Sequence, residues 1–250
     1  MQIVVLAAGL GRRMDSFSGE LPKSLVPIVG EYAYLELALK SFRQFSSSKK
    51  LIVGGHLHDK LSQFLNHRGF NDFDLLFNAD FHKGNLFSLL CAKEHLSEDF
   101  FIVNADHFYS PENYRRLFNQ HGSHVTLFCD RDRLLTDDDM KVRAASSLPT
   151  SDLAIAKTLV DYQWGYVGVT FVPQIKADSY WQASQIVAKR YGDSACVEQI
   201  LAEMAKQGEP LDIRDISGSW WTEIDTPRDY EIAHQTISRH WPEISSFIKE

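Results

Sequence analysis

The first half of the sequence alternates short apolar runs with segments of helical spacing. The apolar runs, which are rich in β-branched and aromatic residues, are Gln2–Ala7 (QIVVLA), Leu51–Val53, Phe73–Phe77 and Phe100–Asn104. Runs of this kind are typical of buried strands. After each apolar run comes a segment whose apolar residues have helical spacing. These segments are Ala33–Phe45, His58–His67, Asn85–His95 and Pro111–Gln120. This alternation predicts an α/β fold of Rossmann-like type, a mixed, mostly parallel sheet flanked by helices.

The second half has a different organisation. Four strand-like segments lack long helices between them: Val125–Cys129, Lys141–Ala145, Leu153–Lys157 and Tyr166–Val172. Helices at Ile175–Tyr191 and Ala195–Gln207, strands at Asp212–Ile216 and Trp220–Ile224, and a helix at Pro227–Ile237 complete the pattern. Without an internal repeat or a low-complexity linker, we expect one domain over residues 1–250. Its halves, about 1–122 and about 123–238, share a sheet, and 239–250 form a C-terminal helix.

Composition excludes several classes of function. The chain of 250 residues has 26 Lys and Arg against 33 Asp and Glu, a formal charge of -7. A general nucleic-acid binder needs a dense basic face, so none is expected. Three separated cysteines (Cys91, Cys129 and Cys196) predict neither a disulfide framework nor a zinc knuckle, and they favour a cytoplasmic protein with reduced thiols. Neither a signal peptide nor a membrane span is predicted.

A glycine loop follows the first strand. Leu6–Met14 reads LAAGLGRRM, which places Gly9 and Gly11 at the carboxyl edge of the sheet. Ligands of open α/β sheets bind at that edge, and glycines let successive backbone N–H groups face an anion. Arg13 and the downstream Lys23 add positive charge. An ordinary strand-to-helix turn is the alternative interpretation.

Two standard phosphate loops do not fit this segment. A dinucleotide fingerprint needs a third glycine where the chain has Met14, although Glu31 lies 20 residues beyond Gly11, near the usual ribose-binding acid. A Walker loop needs Gly-Lys-Ser or Gly-Lys-Thr, and the sequence has neither. A dehydrogenase and a P-loop enzyme are therefore disfavoured.

LAAGLGRRM followed by PKSLVPI resembles the nucleotidyltransferase family, which makes nucleoside-diphosphate sugars and alcohols. The signature Leu-x-Ala-Gly-x-Gly-x-Arg-Met, then Pro-Lys-x-Leu, is matched at Leu6, Ala8, Gly9, Gly11, Arg13, Met14, Pro22, Lys23 and Leu25. The resemblance implies a GT-A-like fold whose first half binds the nucleotide and whose second half binds the acceptor. It also implies that the loop surrounds a triphosphate, which Arg13 and Lys23 neutralise as catalytic residues.

Two aspartates far apart in the sequence match the metal ligands of this family. Asp106 follows the strand Phe100–Asn104, and Asp225 lies in WWTEIDTPRD (220–229). A turn or helix-capping role is the alternative for each. The resemblance implies that both are catalytic and hold Mg²⁺, which takes few protein carboxylates and completes its shell with phosphate oxygens and water. Glu223 lies two residues before Asp225 on the same strand face, and it is predicted to support the two aspartates, to be a further metal ligand or to bind the acceptor.

The segment HKGNLFSLLCA (82–92) points to one branch of the family. Its Gly-Asn-x-x-Ser-Leu pattern resembles cytidylyltransferases, which couple CTP to phosphocholine, inositol 1-phosphate or aminoalkylphosphonates. A helix N-terminal cap is the alternative. The resemblance assigns nucleotide binding to a set drawn from four segments: Leu6, Ala7, Ala8, Gly9, Gly11, Arg13, Lys23, Gly84, Asn85, Ser88 and Asp106.

Acceptor-binding residues are expected in the second half. The candidates are Lys157 for the acceptor phosphate, then Trp164, Tyr166, Trp221 and Glu223. With Tyr109 and Trp220, the aromatic residues could form a cage for a quaternary ammonium, although aromatic residues on strands are more often core residues. The phosphocholine branch often has Glu where this chain has Gly165, which weakens a choline assignment.

The sequence thus predicts a Mg²⁺-dependent cytidylyltransferase that transfers CMP from CTP to a small phosphorylated alcohol or phosphonate and releases pyrophosphate. One alternative is a sugar-1-phosphate nucleotidylyltransferase using UTP or dTTP, and another is a non-catalytic nucleotide-binding regulatory module. No nucleic-acid or membrane partner is expected, and a homodimer is left open.

Overall fold

The computed structural model describes residues 1–14, 17, 19–119 and 122–249. Its strands, in chain order, are β1 (Gln2–Ala7), β2 (Pro27–Val29), β3 (Tyr32–Ala33), β4 (Lys49–Gly54), β5 (Asp74–Phe77), β6 (Phe100–Asn104), β7 (His107–Tyr109), β8 (Thr126–Asp130), β9 (Lys141–Ala144), β10 (Leu153–Ala156), β11 (Trp164–Val172), β12 (Asp212–Asp215) and β13 (Trp221–Glu223). Its α-helices are α1 (Tyr34–Phe42), α2 (His58–His67), α3 (Asn85–Ala92), α4 (Pro111–Phe118), α5 (Gln174–Tyr191), α6 (Val197–Lys206), α7 (Pro227–Arg239) and α8 (Trp241–Phe247).

In the described part of the chain, nine strands form one mixed sheet. Its main path runs β10-β9-β11-β6-β1-β4-β5, with β8 beside β11 and β12 beside β8. Strands β6, β1, β4 and β5 are parallel, and β11 joins β6 antiparallel. The mostly parallel sheet predicted from the first half is therefore confirmed, and strands of both halves belong to it.

Residues of the central strand β1 point alternately to the two faces of the sheet, and both faces are covered. Ile3 and Val5 belong to a core with residues of α1, α4, α7 and α8, whereas Val4 and Leu6 belong to a second core with residues of α3, α5 and α6. Burial on both sides explains why QIVVLA is continuously apolar. None of the helices in the described ranges is long and apolar enough to cross a membrane.

A two-stranded ribbon outside the main sheet brings distant parts of the chain together. Strand β7 pairs antiparallel with β13, so that His107 lies opposite Glu223. Just beyond the pairing, the Ile224 backbone N–H donates to the Asp106 carbonyl over 3.0 Å. This ribbon sets Asp106 and Asp225 side by side, although 119 positions separate them in the printed sequence. Sequence analysis predicted β13 but missed β7, which is only three residues long.

Several predicted boundaries are wrong by a few residues. The helix expected from Ala33 begins at Tyr34, because Ala33 pairs with Pro27 in the β2–β3 hairpin. The helix expected from Ala195 begins at Val197, because Ala195 belongs to the connection after α5. Strand β11 begins at Trp164 rather than Tyr166. Gln120 and Glu250, the last residues of two predicted helices, lie outside the described residues.

Candidate active site

The glycine loop leads from β1 to a short 3₁₀ turn, Arg12–Met14. Gly11 has φ +64°, a conformation that L side chains rarely adopt. The aliphatic stem of Lys23 packs over this glycine, since a Cβ on Gly11 would lie 3.4 Å from the Cβ of Lys23. The Met14 N–H donates to the Gly11 carbonyl over 2.7 Å, and the Met14 side chain is fully buried. The loop is therefore anchored at its end and braced by Lys23.

Lys23 bridges the two predicted metal-binding aspartates. Its Nζ lies 2.5 Å from Asp106 Oδ2 and 2.5 Å from Asp225 Oδ1. The side chain begins a 3₁₀ turn after Pro22 and is only 16% exposed. Burial opposes the charged ammonium, but the two carboxylates outweigh burial and raise the pKa of Lys23. The point between the two carboxylates is therefore a site that holds positive charge.

Asp106 follows β6 and contacts two cationic groups. Besides Lys23, its Oδ1 lies 2.7 Å from His107 Nδ1. Burial raises the pKa of a carboxyl, yet Lys23 and His107 outweigh burial and hold the pKa of Asp106 well below its usual range. Burial would likewise lower the pKa of His107, but the hydrogen bond and charge of Asp106 raise it. Asp106 is consequently ionised throughout the physiological pH range.

Arg13 completes the group from the other side. Its two terminal nitrogens donate to Asp225 Oδ2 over 2.9 Å and to Asp138 Oδ2 over 3.0 Å. Asp225 itself precedes α7, whose N-terminus is capped reciprocally by Thr226 and Asp229. The structure thus brings together the four side chains predicted to be catalytic: Arg13, Lys23, Asp106 and Asp225.

A first cavity lies between the glycine loop and α3. Most of the residues predicted to bind the nucleotide line it: Leu6, Ala7, Ala8, Gly9, Gly11, Lys23, Asn85, Ser88 and Asp106. Ser88 Oγ accepts a hydrogen bond from Asn78 Nδ2 over 3.1 Å, which leaves its O–H free to donate elsewhere. Pro22, Ser24, Phe81, Lys83, Asn104 and Ala105, which were not predicted, complete the lining. We call this space the nucleotide cavity.

Gly84, also predicted to bind the nucleotide, does not line the nucleotide cavity. It packs against the connection between α5 and α6, where a Cβ would lie 2.0 Å from the Ala195 carbonyl oxygen. The Gly84 N–H donates to the Asp193 carbonyl over 2.7 Å. In the same contact, Asn85 Oδ1 accepts from the Val197 N–H over 2.9 Å, so only the amide NH₂ of Asn85 remains free to donate to a ligand. Gly84 is needed here for close approach of two backbones.

A second cavity, which we call the acceptor cavity, adjoins the first. Of the residues predicted to bind the acceptor, Lys157, Tyr166 and Glu223 line it, together with Arg13 and Asp225. Asn85, Asn104 and Asp106 line both cavities. Lys157 is half-exposed, and its Nζ lies 3.7 Å from Asp138 Oδ1. The bridged aspartates therefore stand where the two cavities meet.

The predicted aromatic cage is not formed. Trp164 is 8% exposed and belongs to the second core, with the Arg131 guanidinium 4.6 Å from its ring centre. Trp221 has one face stacked on His107 at 5.6 Å and the Arg133 guanidinium 4.7 Å from its ring centre. Its Nε1 donates to Asp130 over 2.7 Å. Neither ring lines the acceptor cavity, because strand pairing directs both into packing contacts.

Two more of the five rings in the predicted cage, Tyr109 and Trp220, also make packing contacts. Tyr109 is fully buried, and its hydroxyl donates to the Val167 carbonyl over 2.6 Å. Trp220 packs against Phe108 and His240. Among the described aromatic residues of the predicted cage, only Tyr166 lines the acceptor cavity.

The MobA-like NTP transferase domain family matches residues 3–211, most of the chain. The chain belongs to this family. Of the curated relatives, the bifunctional IPC transferase and DIPP synthase of Archaeoglobus fulgidus is 28% identical over 95% of this chain, which spans only 44% of that protein. The choline-phosphate cytidylyltransferase of Streptococcus pneumoniae is 23% identical over 92% of this chain and 95% of its own length.

The solved structures support the same fold. The inositol-1-phosphate CTP transferase from T. maritima superimposes with a TM-score of 0.77 at 21% identity, over 94% of this chain and 96% of that one. The predicted nucleotidyltransferase family and its fold are therefore confirmed, and the relatives include proteins named as cytidylyltransferases, the predicted branch. The chain spans about half the length of the first curated relatives it matches.

The candidate site also contains residues that sequence analysis missed. His107 links Asp106 to Glu223, whose Oε2 lies 3.3 Å from His107 Nε2. Arg133 pairs with Glu223 and with Asp139. Glu223 is therefore linked to Asp106 indirectly, through the two ring nitrogens of His107. The sequence signal was present, since His107 directly follows the aspartate, but its partner became clear only from the β7–β13 register.

The acidic segment Asp137–Asp139 is a structured part of the candidate site. Asp139 Oδ2 accepts from the Thr136 N–H over 2.6 Å and closes the turn. Lys141 Nζ then donates to the carbonyls of Thr136 and Lys157, over 2.6 and 2.8 Å. These bonds hold Asp138 beside Arg13 at the entrance of the acceptor cavity. Asp138, Asp139 and Met140 thus form part of the wall of the acceptor cavity.

Proposed function

We propose that this chain transfers CMP from CTP to a small phosphorylated alcohol or phosphonate and releases pyrophosphate. One observation carries the proposal: two cationic side chains and two carboxylates converge where the nucleotide cavity meets the acceptor cavity. Relatives named as choline-phosphate cytidylyltransferase and inositol-1-phosphate CTP transferase support the choice of nucleotide and acceptor class.

The proposed reaction is an in-line displacement at phosphorus. An oxygen of the acceptor phosphate or phosphonate attacks the α-phosphorus of CTP and forms a new P–O bond. The bond between the α-phosphorus and the oxygen bridging to the β-phosphorus breaks, and pyrophosphate leaves with that electron pair. A phosphate monoester is largely dianionic at pH 7, since its second pKa is about 6, so no general base is needed.

The main task of the protein is then to hold two anions together. Lys23 lines the nucleotide cavity, whereas Arg13, although predicted to bind the nucleotide, lines the acceptor cavity. Both supply positive charge in a partly buried setting, where it acts more strongly than in water. Lys23 is released for this role when a ligand or cation takes over its contacts with the two aspartates. Lys157, on the acceptor side, is positioned to contact the acceptor phosphate.

The residues present fit a magnesium ion. Asp106 and Asp225 direct hard oxygen ligands at one point, which the Lys23 ammonium already contacts. Among the described residues, no group of three or more His, Cys, Asp or Glu is arranged to hold a metal. Mg²⁺ bound with a nucleotide needs only one or two carboxylates, because phosphates and waters complete its octahedron. Bound there, Mg²⁺ would neutralise phosphate charge during the displacement.

A matrix of substrates tests this function. Four nucleoside triphosphates are combined with phosphocholine, 2-aminoethyl phosphate, 2-aminoethylphosphonate, inositol 1-phosphate, glycerol phosphate and several sugar 1-phosphates, and pyrophosphate release is measured. We expect CTP with a phosphorylated alcohol or phosphonate to give the highest kcat/KM. Preference for UTP or dTTP with a sugar 1-phosphate would instead favour the sugar-nucleotide alternative. Release with no combination, together with intact CTP binding, would favour a regulatory module.

A further inference from the structure

Glu198 is a buried carboxylate of the acceptor cavity that lacks a partner. It lies in the first turn of α6, lines the cavity and is 8% exposed. Within the described ranges it forms no ion pair and accepts no hydrogen bond from another residue, only from its own backbone N–H. His107 and Lys157 act on its charge without contacting it directly. The proposed reaction, as described so far, does not use it.

The other carboxylates around the cavity are all engaged. Asp106, Asp138, Asp139, Glu223 and Asp225 form ion pairs, and Asp229 caps α7. Leaving a carboxylate buried without a partner is costly, and burial indeed raises the pKa of Glu198. A buried, unpaired polar group facing a cavity is satisfied when a ligand enters. Glu198 therefore points to a ligand group that donates hydrogen bonds or carries positive charge.

The charge of the cavity favours a cationic group. In the described lining, seven acidic residues face Arg13, Arg133 and Lys157. Lys23, from the nucleotide cavity, contacts two of the seven, so carboxylates still outnumber lysines and arginines. Arg133 and Arg13 are already paired with carboxylates. A cation in the proposed acceptor would reduce this acidic excess, whereas a neutral polyol would leave it unchanged.

The packing of the aromatic residues favours a primary amine over a quaternary ammonium. A quaternary ammonium cannot donate hydrogen bonds and is recognised by aromatic faces. The faces of Trp221 are covered by His107 and Arg133, and Trp164 lies in the core. A primary ammonium instead donates hydrogen bonds to a carboxylate, which is the group that Glu198 offers.

We propose that Glu198 binds a protonated primary amine of the acceptor and so determines acceptor specificity. This inference rests on the proposed function and narrows its acceptor class to amino-alkyl phosphates or phosphonates. Two contacts with residues at the start of α3 hold the backbone next to Glu198 in place. The Val197 N–H donates to Asn85 Oδ1, and Ala195 packs against Gly84. The carboxylate is therefore held in place before the acceptor binds.

Three acceptors that differ in one group, together with inositol 1-phosphate, test this inference. With CTP, pyrophosphate release is measured for 2-aminoethyl phosphate, 2-hydroxyethyl phosphate, phosphocholine and inositol 1-phosphate. We expect wild-type protein to prefer 2-aminoethyl over 2-hydroxyethyl phosphate by at least about tenfold in kcat/KM, the size of one hydrogen bond to a charged group. Glu198→Gln should lose at least about tenfold on the amine while the hydroxyl acceptor changes less than about threefold.

Two control variants and one independent readout accompany the panel. Glu94→Gln removes an exposed glutamate outside both cavities and should behave as wild type. Glu198→Asp keeps the charge and should retain part of the preference for the amine. The KM for CTP should stay within about twofold in all variants, because none of them alters a residue lining the nucleotide cavity.

The outcomes separate the two proposals. If no acceptor releases pyrophosphate, the proposed function fails and the role of Glu198 fails with it. If inositol 1-phosphate, phosphocholine or the hydroxyl acceptor is preferred, or if Glu198→Gln leaves the preference for the amine unchanged, only the amine inference is overturned. Loss of the preference in Glu198→Gln, with CTP binding intact, is the result expected.

Discussion

The two cavities of the site are built in different ways. The nucleotide cavity is lined largely by short stretches that are continuous in sequence, Leu6–Gly9, Pro22–Ser24 and Asn104–Asp106, with many small residues. The acceptor cavity is lined by charged side chains from segments spread between Arg13 and Asp229. Ion pairs between those segments hold its walls. Recognition of the nucleotide is therefore encoded locally, whereas the acceptor cavity exists only once the chain has folded.

Asp106 lines both cavities, so its replacement should have the largest effect. Asp106→Asn keeps the shape but removes the charge that Lys23 and His107 face. We expect kcat/KM to fall by about 10²–10³, comparable to removing one preorganised electrostatic group. Pyrophosphate release from CTP measures the loss. Asp161→Asn, an exposed aspartate outside both cavities, is the matched control. If Asp106→Asn kept activity within threefold of wild type, the proposed catalytic role of Asp106 would be contradicted.

Replacing Lys23 tests whether a cation binds where the two cavities meet. Lys23→Met leaves Asp106 and Asp225 facing each other without the ammonium, so activity should fall by about 10–10² and stability should decrease by about 1–3 kcal/mol. Mg²⁺ should then raise the melting temperature of Lys23→Met more than that of wild type, because the ion replaces the lost charge. Equal Mg²⁺ effects on both proteins, in thermal unfolding, would show that the two aspartates do not share an ion.

Replacing Gly84 tests the contact between the start of α3, beside the nucleotide cavity, and the connection before α6, beside the acceptor cavity. Gly84→Ala forces a Cβ against the Ala195 carbonyl, 2.0 Å away, so the two backbones must separate. We expect a loss of about 1–3 kcal/mol in the free energy of unfolding, the usual cost of overpacking, and a higher KM for both substrates. Gly122→Ala has room for its Cβ and should change stability by less than about 0.5 kcal/mol. Denaturant unfolding measures both.

The smallest expected effect is the change in melting temperature caused by replacing Glu198, which lines the acceptor cavity but not the nucleotide cavity. Burial raises the pKa of its carboxyl in the folded state, so the charged form destabilises the fold as pH rises above the ordinary value of a glutamate. Glu198→Gln should therefore melt higher than wild type at neutral pH, by no more than about 2–4 °C. The difference should shrink as the pH falls towards 4, where the carboxyl is protonated in both states. A difference independent of pH would contradict this interpretation.

The sequence predicted the locally encoded parts of the molecule well. The alternation of strands and helices predicted the parallel sheet, and LAAGLGRRM with PKSL predicted the glycine loop and Lys23. Asp106 and Asp225 could be paired only through resemblance to a family, since nothing local shows that two aspartates over a hundred residues apart meet. The β7–β13 ribbon brings them together, and sequence analysis predicted β13 but not its partner β7.

The parts that depend on tertiary contacts were not predicted. Trp164 and Trp221 were expected at the acceptor, but which face of an aromatic residue remains free depends on neighbours such as Arg131 and His107. Gly84 was expected to contact the nucleotide, and only the approach of Ala195 explains it. Glu198 was overlooked because a glutamate in a first helical turn is ordinary in sequence. Its isolation in the cavity is visible only in the folded chain.

The central proposal is that Asp106 and Asp225 hold one divalent cation together with CTP. Electron paramagnetic resonance of Mn²⁺, used in place of Mg²⁺, measures this directly by titrating the ion against protein with and without CTP. The account predicts one tight Mn²⁺ per wild-type chain in the presence of CTP, and at least about tenfold weaker binding in both Asp106→Asn and Asp225→Asn. Wild-type affinity for Mn²⁺ in either variant would contradict it.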